Sequence, residues 1–289
     1  MSVTERPRYA PEWLALREAA DAAARARELL DPLRQYLEEG RSRQAAVPVI
    51  RDLGCGTGSM GRWLAPQLGG PQHWVLHDHD AGLLHLAAER LPRTGGDGGR
   101  VTVATRQGDI GRLTAAELSG TALVTASALL DVLTREEVDR LAAACAGAGC
   151  PALLALSVVG RVELAPSDPL DGAIGGAFND HQRRLDQGRR LLGPDAVGAA
   201  REIFARHGMR VLVRSSPWRL GPAESALTAE WLRGWVGAAR EQRPDLAPRA
   251  TAYLRRRLEA CEAGALRVVV HHSDVLALPA HAGGAGGAA

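Results

Sequence analysis

The stretch Asp52-Leu53-Gly54-Cys55-Gly56-Thr57-Gly58 decides the fold. It closes a short apolar run, 47–53, and opens a segment of helical pattern, 59–68. Strand, glycine-rich turn and helix in that order make the first half of a β-α-β unit. Glycines let the backbone turn sharply and let a ligand approach where a Cβ would otherwise stand. The helix start beyond them supplies free N–H groups and the positive end of the helix dipole.

Working outward, the rhythm repeats. Runs at 73–77, 101–106, 122–126, 151–159 and 209–214 read as further strands, and 267–278 as a late extended run. Segments 80–91, 134–146 and 193–207 read as helices. The alternation predicts an α/β fold with a doubly wound, mostly parallel seven-stranded sheet and helices on both faces. Upstream, 11–39 carries an apolar stripe that includes Trp13, Leu14, Leu29, Leu33 and Leu37, with Pro32 expected to break it into two helices. Segments 161–190 and 221–264 interrupt the rhythm, the second reading as two helices. Insertions of that length in such a fold are functional or disordered. The expected organisation is an N-terminal helical segment, 1–45, a Rossmann-like domain, 46–279, whose insertions form a cap, and a disordered Ala/Gly-rich tail, 280–289.

Composition narrows the class. With 289 residues, 46% of them hydrophobic, the chain can build one large core with helical additions. No apolar run reaches the ~18 residues of a membrane helix, and the first residues lack the apolar stretch of a secretion signal. The expectation is a soluble cytoplasmic protein, a monomer or homodimer, with no membrane partner. Net charge is only +2 and lysine is absent, so the arginines reflect coding bias more than a nucleic-acid footprint. Arg183, Arg184, Arg189 and Arg190, and Arg255 to Arg257, are expected on solvated helix faces. Cys55, Cys145, Cys150 and Cys261 form no C-x-x-C pair, and no histidine cluster has metal-ligand spacing, so buried thiols and no metal are expected.

The turn itself is ambiguous. Gly56-Thr57-Gly58-Ser59-Met60-Gly61 also fits the dinucleotide pattern G-x-G-x-x-G. A carboxylate at Asp52 would repel a pyrophosphate, yet it suits the ammonium of an amino-acid ligand. A further acidic position, Asp109, follows the third strand.

With these residues in place, the run resembles motif I of class I S-adenosylmethionine (SAM)-dependent methyltransferases, acidic-x-G-x-G-x-G. His77-Asp78-His79-Asp80 is similar to the second motif of that family, an acidic residue closing strand two. The resemblance spans 47–159 well and the later strands loosely, and it departs at Ala122, where many members carry Asp. It implies SAM as cofactor, with Asp52, Gly54, Cys55, Gly56 and Gly58 forming the cradle. Asp78 would take the ribose hydroxyls, the role an acidic residue ~20 positions on plays in dinucleotide folds. His79 would lie beside the adenine, Asp109 and Ile110 would contact its amino end, and Ser127 would lie under the methionine part. Asp80 is expected to cap the next helix. Asp52 could instead accept turn hydrogen bonds, and Asp109 could be a helix cap.

Chemistry should occur at the C-terminal edge of the sheet, where strand order switches. SAM carries the activation, so the protein mainly aligns the acceptor, with a general base where a proton must leave. Asp131 is one base candidate, or else a first-turn helix carboxylate. His181 is another, titrating near neutrality, or else a surface histidine. Asn179, Asp180, Trp218 and Trp231 are candidates for acceptor contacts, with Trp235 expected to be packing. Arg17 either reaches the cofactor carboxylate or pairs along a helix face with Asp21 and Arg25. The reading is methyl transfer to a small-molecule acceptor, at oxygen or nitrogen, with no nucleic-acid partner. The alternatives are an NAD-dependent oxidoreductase and a non-catalytic protein of the same fold.

Overall fold

The computed structural model describes residues 10–41 and 46–280. The expectations for the first nine residues and for 281–289 lie outside the described residues. The chain begins with α1 (Pro11–Ala24) and α2 (Leu30–Arg41). The break between them is not at Pro32. It falls at Arg25, whose backbone is extended (φ −52°, ψ 132°). Pro32 is tolerated near the start of α2, where backbone N–H groups have no intrahelical partner to lose.

The wound sheet follows. β1 (Val49–Leu53), α3 (Ser59–Leu64), β2 (Gln72–Asp78), α4 (Ala81–Arg90) and β3 (Val101–Gln107) make one half. Asp80 caps α4 as expected, accepting from Gly82 N and Leu83 N at 2.8 and 3.2 Å. β4 (Thr121–Ser127), α5 (Arg135–Ala148) and β5 (Ala152–Ala165) begin the other half. α5 opens on a reciprocal cap between Thr134 and Glu137 and stops at Gly149, which is left-handed. Next come α6 (Asp171–Gln182), a hairpin of β6 (Leu185–Asp186) and β7 (Arg189–Arg190), α7 (Ala196–Arg206), β8 (Met209–Ser215) and β9 (Trp218–Leu220). α8 (Ser225–Gln242), α9 (Ala247–Glu262) and β10 (Arg267–Pro279) complete the described chain.

The main sheet runs β3-β2-β1-β4-β5-β10-β8, the seven strands expected, and β9 adds an eighth beside β10. β1 pairs in parallel with both β2 and β4, so strand order reverses beside the glycine turn. Only β10 runs against its neighbours. One core packs Trp74, Leu64 and Leu84 with α2 below one face, and a second packs Phe204, Ile203 and Leu141 below the other.

β5 is longer than its sequence pattern suggested. It continues through Arg161 to Ala165 because Val162 and Leu164 alternate inward and pair with Val270 and Val268 of β10. The first insertion therefore starts as strand. Both insertions share a third core, in which Ile174 of α6 meets Leu232 and Trp235 of α8 and Tyr253 of α9. Arg257 belongs to it: contrary to the solvated face expected, it is buried on Asp171 and on the Pro166 carbonyl. A guanidinium that deep needs such partners to offset its desolvation.

Candidate active site

The turn after β1 carries three left-handed glycines, with φ of 60°, 54° and 85° at Gly54, Gly56 and Gly58. Their reasons differ. A Cβ on Gly54 would stand 3.1 Å from Leu129, and one on Gly56 3.2 Å from Leu14 of α1. Gly58 does not line the cavity described below, and its tight neighbour is Ala87 of α4, 3.1 Å from an added Cβ. Gly58 is therefore a packing glycine, not a cradle one.

Two carboxylates flank the turn. Asp52 is buried at the end of β1, where its Oδ1 accepts from Thr125 Oγ1 at 2.7 Å. Its Oδ2 is buried with no hydrogen-bond partner among the described residues. Burial, only partly offset by Thr125 and the Arg25 charge, pushes its pKa up to about 7. Asp78 ends β2 and closes the turn: its Oδ2 accepts from Gly56 N at 2.9 Å and its Oδ1 from Asp80 N at 3.0 Å. His79 Nδ1 lies 3.3 Å from the same carboxylate. The Cys55 thiol is pushed up by burial and by the nearby carboxylates, which disfavours its thiolate.

A cavity of ≈ 400 Å³ opens over this edge, running from the glycine turn to the underside of the helical insertions. At the turn end it is lined by Asp52, Gly54, Cys55, Gly56 and Asp78. His79, Asp109 and Ile110 line it beside β2 and β3, and Ser127 and Asp131 above β4. Asp109 also caps the short helix after it, accepting from Gly111 N at 2.9 Å. At the far end stand Trp218, Trp231, Trp235, Phe178 and Asn179. Asn179 is held by its own bond to the Gly160 carbonyl at 2.8 Å. Trp235 is therefore part of the cavity wall as well as of the core.

α1 roofs the cavity with Trp13, Leu14, Arg17 and Asp21. It is fastened twice. Glu18 takes two bonds from Arg62 of α3, at 2.6 and 2.7 Å, and Asp21 accepts from Trp218 Nε1 at 2.9 Å. Arg17 gives its Nε to Asp21 at 2.9 Å and lies over the Trp218 ring, 4.9 Å from its centroid. The expected ladder stops there, because Arg25 lies past the helix end and turns inward.

Two candidates miss the cavity. His181 and Asp180 do not line it. His181 faces α8, with Nε2 3.1 Å from Glu241, and Asp180 faces Arg183. The helical period puts Phe178, Asn179 and Gln182 towards the cavity and the intervening pair away from it. Asp131 does line it, and burial raises its pKa to about 6.

Residues 50–149 match the family described as "Methyltransferase domain". This segment, about a third of the chain, is similar to that methyltransferase domain. No protein of curated function matches the chain in sequence. Among solved structures it is similar to a phosphoethanolamine N-methyltransferase from Haemonchus contortus, at 14% identity and a TM-score of 0.42, over 95% of this chain and 59% of that one. It is also similar to a cyclopropane synthase from Mycobacterium tuberculosis, at 12% identity and a TM-score of 0.42, over 86% and 83%. The chain thus spans under two thirds of the length of the first of these.

The turn end of the cavity is chemically suited to an adenosyl amino acid. The cradle has no side chain at Gly56, and the unpartnered Asp52 oxygen suits a bound ammonium better than a pyrophosphate. Among the described residues no cluster of His, Cys, Asp or Glu is placed to hold a metal, and no helix is long and apolar enough to cross a membrane. Three parts of the site were missed in the sequence. Arg25 is buried behind the cradle, donating from Nη2 to Ser59 Oγ and Ser127 Oγ at 3.0 and 3.2 Å. Arg189, expected on a solvated face, is half-buried on Glu137 at 2.6 Å and lines the cavity. His272 is buried against Trp218, ring centroids 5.2 Å apart. Only the alternation of β10 hinted at the last.

Proposed function

We propose that this protein transfers the methyl group of SAM to a small-molecule acceptor, at oxygen or nitrogen. The observation that carries the reading is continuity: one cavity joins the glycine cradle to an aromatic end roofed by α1 and the insertion helices. Such a roofed cleft suits a small ligand better than a polymer. In this reading Asp52 and Arg17 take the two ends of the amino-acid part and Ser127 lies beneath it. Asp78 takes the ribose, and His79, Asp109 and Ile110 surround the adenine. Asp131, in the turn after β4, accepts the proton the acceptor loses, and Trp218, Trp231 and Asn179 hold the acceptor. The insertions at 161–190 and 221–264 act as the acceptor cap. The unbridged cysteines suit a reducing, cytoplasmic setting.

Calorimetric titration of the full chain with S-adenosylhomocysteine and with NAD tests it. Tight binding of the nucleoside, weakened in Asp78→Ala, is expected. NAD binding without any response to S-adenosylhomocysteine would overturn it.

A further inference from the structure

Arg25 sits behind the cavity and not in it. It is 2% exposed and does not line the cavity, whereas Ser59 and Ser127, the two residues it bonds, both do. Its Nε and Nη1 have no hydrogen-bond partner among the described residues, and Nη2 bonds only the two serines. The guanidinium lies over the Trp63 ring, 5.3 Å from its centroid, and Asp21, Asp274 and Asp52 act on its charge without touching it. A buried cation with no carboxylate in contact is expensive to keep, so its presence behind the cradle asks for a reason.

The reason lies in what a guanidinium can do. Its nitrogens donate and never accept. Nη2 carries two hydrogens and gives one to each serine oxygen, at 3.0 and 3.2 Å. Each hydroxyl accepts on the Arg25 side, so its own proton must turn away from the guanidinium. Neither hydroxyl donates to an acceptor among the described residues. Two half-buried hydroxyls, one from α3 and one from the end of β4, are thus left as donors in the cavity wall with a fixed positive charge behind them. Asp52, on the adjoining strand β1, offers the opposite chemistry, and its carboxyl feels the same Arg25 charge. Seats for an anion and for a cation stand side by side. An α-amino acid, with ammonium and carboxylate on one carbon, requires such a pair.

We infer that Arg25 is a positioning residue: without touching the ligand, it turns Ser59 and Ser127 into a two-donor seat for the carboxylate of the cofactor's amino-acid part. This deepens the methyltransferase reading and rests on it. The seat works beside Arg17, whose Nε and Nη2 are already engaged by Asp21 at 2.9 and 3.2 Å. It also sets which way round the amino acid lies, with its carboxylate towards α3 and β4 and its ammonium at Asp52. Adenosyl thioethers that lack the carboxylate gain nothing from Arg25.

The test is calorimetry on the full chain with two probes, S-adenosylhomocysteine and methylthioadenosine, which share the adenosyl thioether and differ in the amino-acid part. Replacing both serines, Ser59→Ala with Ser127→Ala, should weaken S-adenosylhomocysteine binding about tenfold or more and leave methylthioadenosine within about twofold. Arg25→Met should do the same on its own. Added to the serine pair it should weaken binding little further, because the guanidinium acts through the hydroxyls. Losses that fall equally on both probes, or that simply add, would show a merely structural role and overturn the inference. So would undiminished S-adenosylhomocysteine binding in the serine pair. That pair leaves the buried charge in place, so it tests the seat even where Arg25→Met does not fold. Failure of the unaltered chain to bind either probe would strike the underlying reading instead.

Discussion

Thr125 Oγ1 donates to Asp52 Oδ1 at 2.7 Å across the β1–β4 pair, and this single bond leaves the other carboxylate oxygen buried and unmatched. The carboxyl pKa of about 7 follows from that burial. A cationic ligand at Oδ2 favours the ionised form, so binding expels a proton when Asp52 starts neutral. S-adenosylhomocysteine affinity should rise as pH increases from 5 to about 7 and level off above. Calorimetry in buffers of different ionisation enthalpy should show proton release near pH 6. Affinity flat across that range would show that no ammonium meets Asp52.

The same carboxyl gives a stability prediction of opposite slope. Its folded pKa, about 7, lies above the ordinary 3.8, so the cofactor-free folded state holds its proton more tightly than the unfolded chain. Where the folded state binds more protons, stability falls as pH rises. Asp52→Asn should flatten the fall in melting temperature between about pH 4 and pH 7, as followed by thermal denaturation.

Asp78 closes the cradle by accepting from Gly56 N, and it is also proposed to bind the ribose. Asp78→Ala should weaken S-adenosylhomocysteine binding by about 1–3 kcal/mol per hydrogen bond left unmade. Unchanged affinity in titration would remove it from the site.

Asp131 and His181 separate the two base candidates. Asp131→Asn should lower kcat by ~10²-fold and abolish the rise in rate with pH centred near its pKa of about 6. Cofactor affinity should hold. His181→Ala should leave kcat/KM within about twofold, since it faces Glu241 of α8 and not the cavity. A large loss there would place the histidine in the chemistry after all.

Gly58→Ala should destabilise the fold by about 1–3 kcal/mol, because it forces a side chain into φ 85° and crowds the Ala87 backbone at 3.2 Å. Thermal melts would show it. Its effect on cofactor affinity should be smaller than that of Gly56→Ala, since only Gly56 lines the cavity.

The wound sheet and the glycine turn were legible because they obey local rules: short apolar runs for strands buried on both faces, caps at Asp80 and Thr134, and left-handed glycines after β1. The far end of the cavity was legible only in part. Trp218 and Trp231 stood out by residue type, but which way α6 would face depended on α8, 60 residues on, so Asp180 and His181 were placed on the wrong side. Arg25 read as one rung of a helical ladder. Its inward turn depends on the helix ending at Ala24 and on hydroxyls from Ser59 and Ser127 that only the folded sheet brings near. Arg257 looked solvated for the same reason, because Asp171 lies 86 positions away.

Asp274 on β10 accepts from Ala26 N and Leu156 N at 2.8 and 2.7 Å and from Ser216 Oγ. One carboxylate near the end of the described chain thereby anchors the joint behind the roof helix at its beginning. On a ribosome the glycine turn and the Glu18–Arg62 latch can form early, but the joint at Ala26 closes only after β10 has been synthesised.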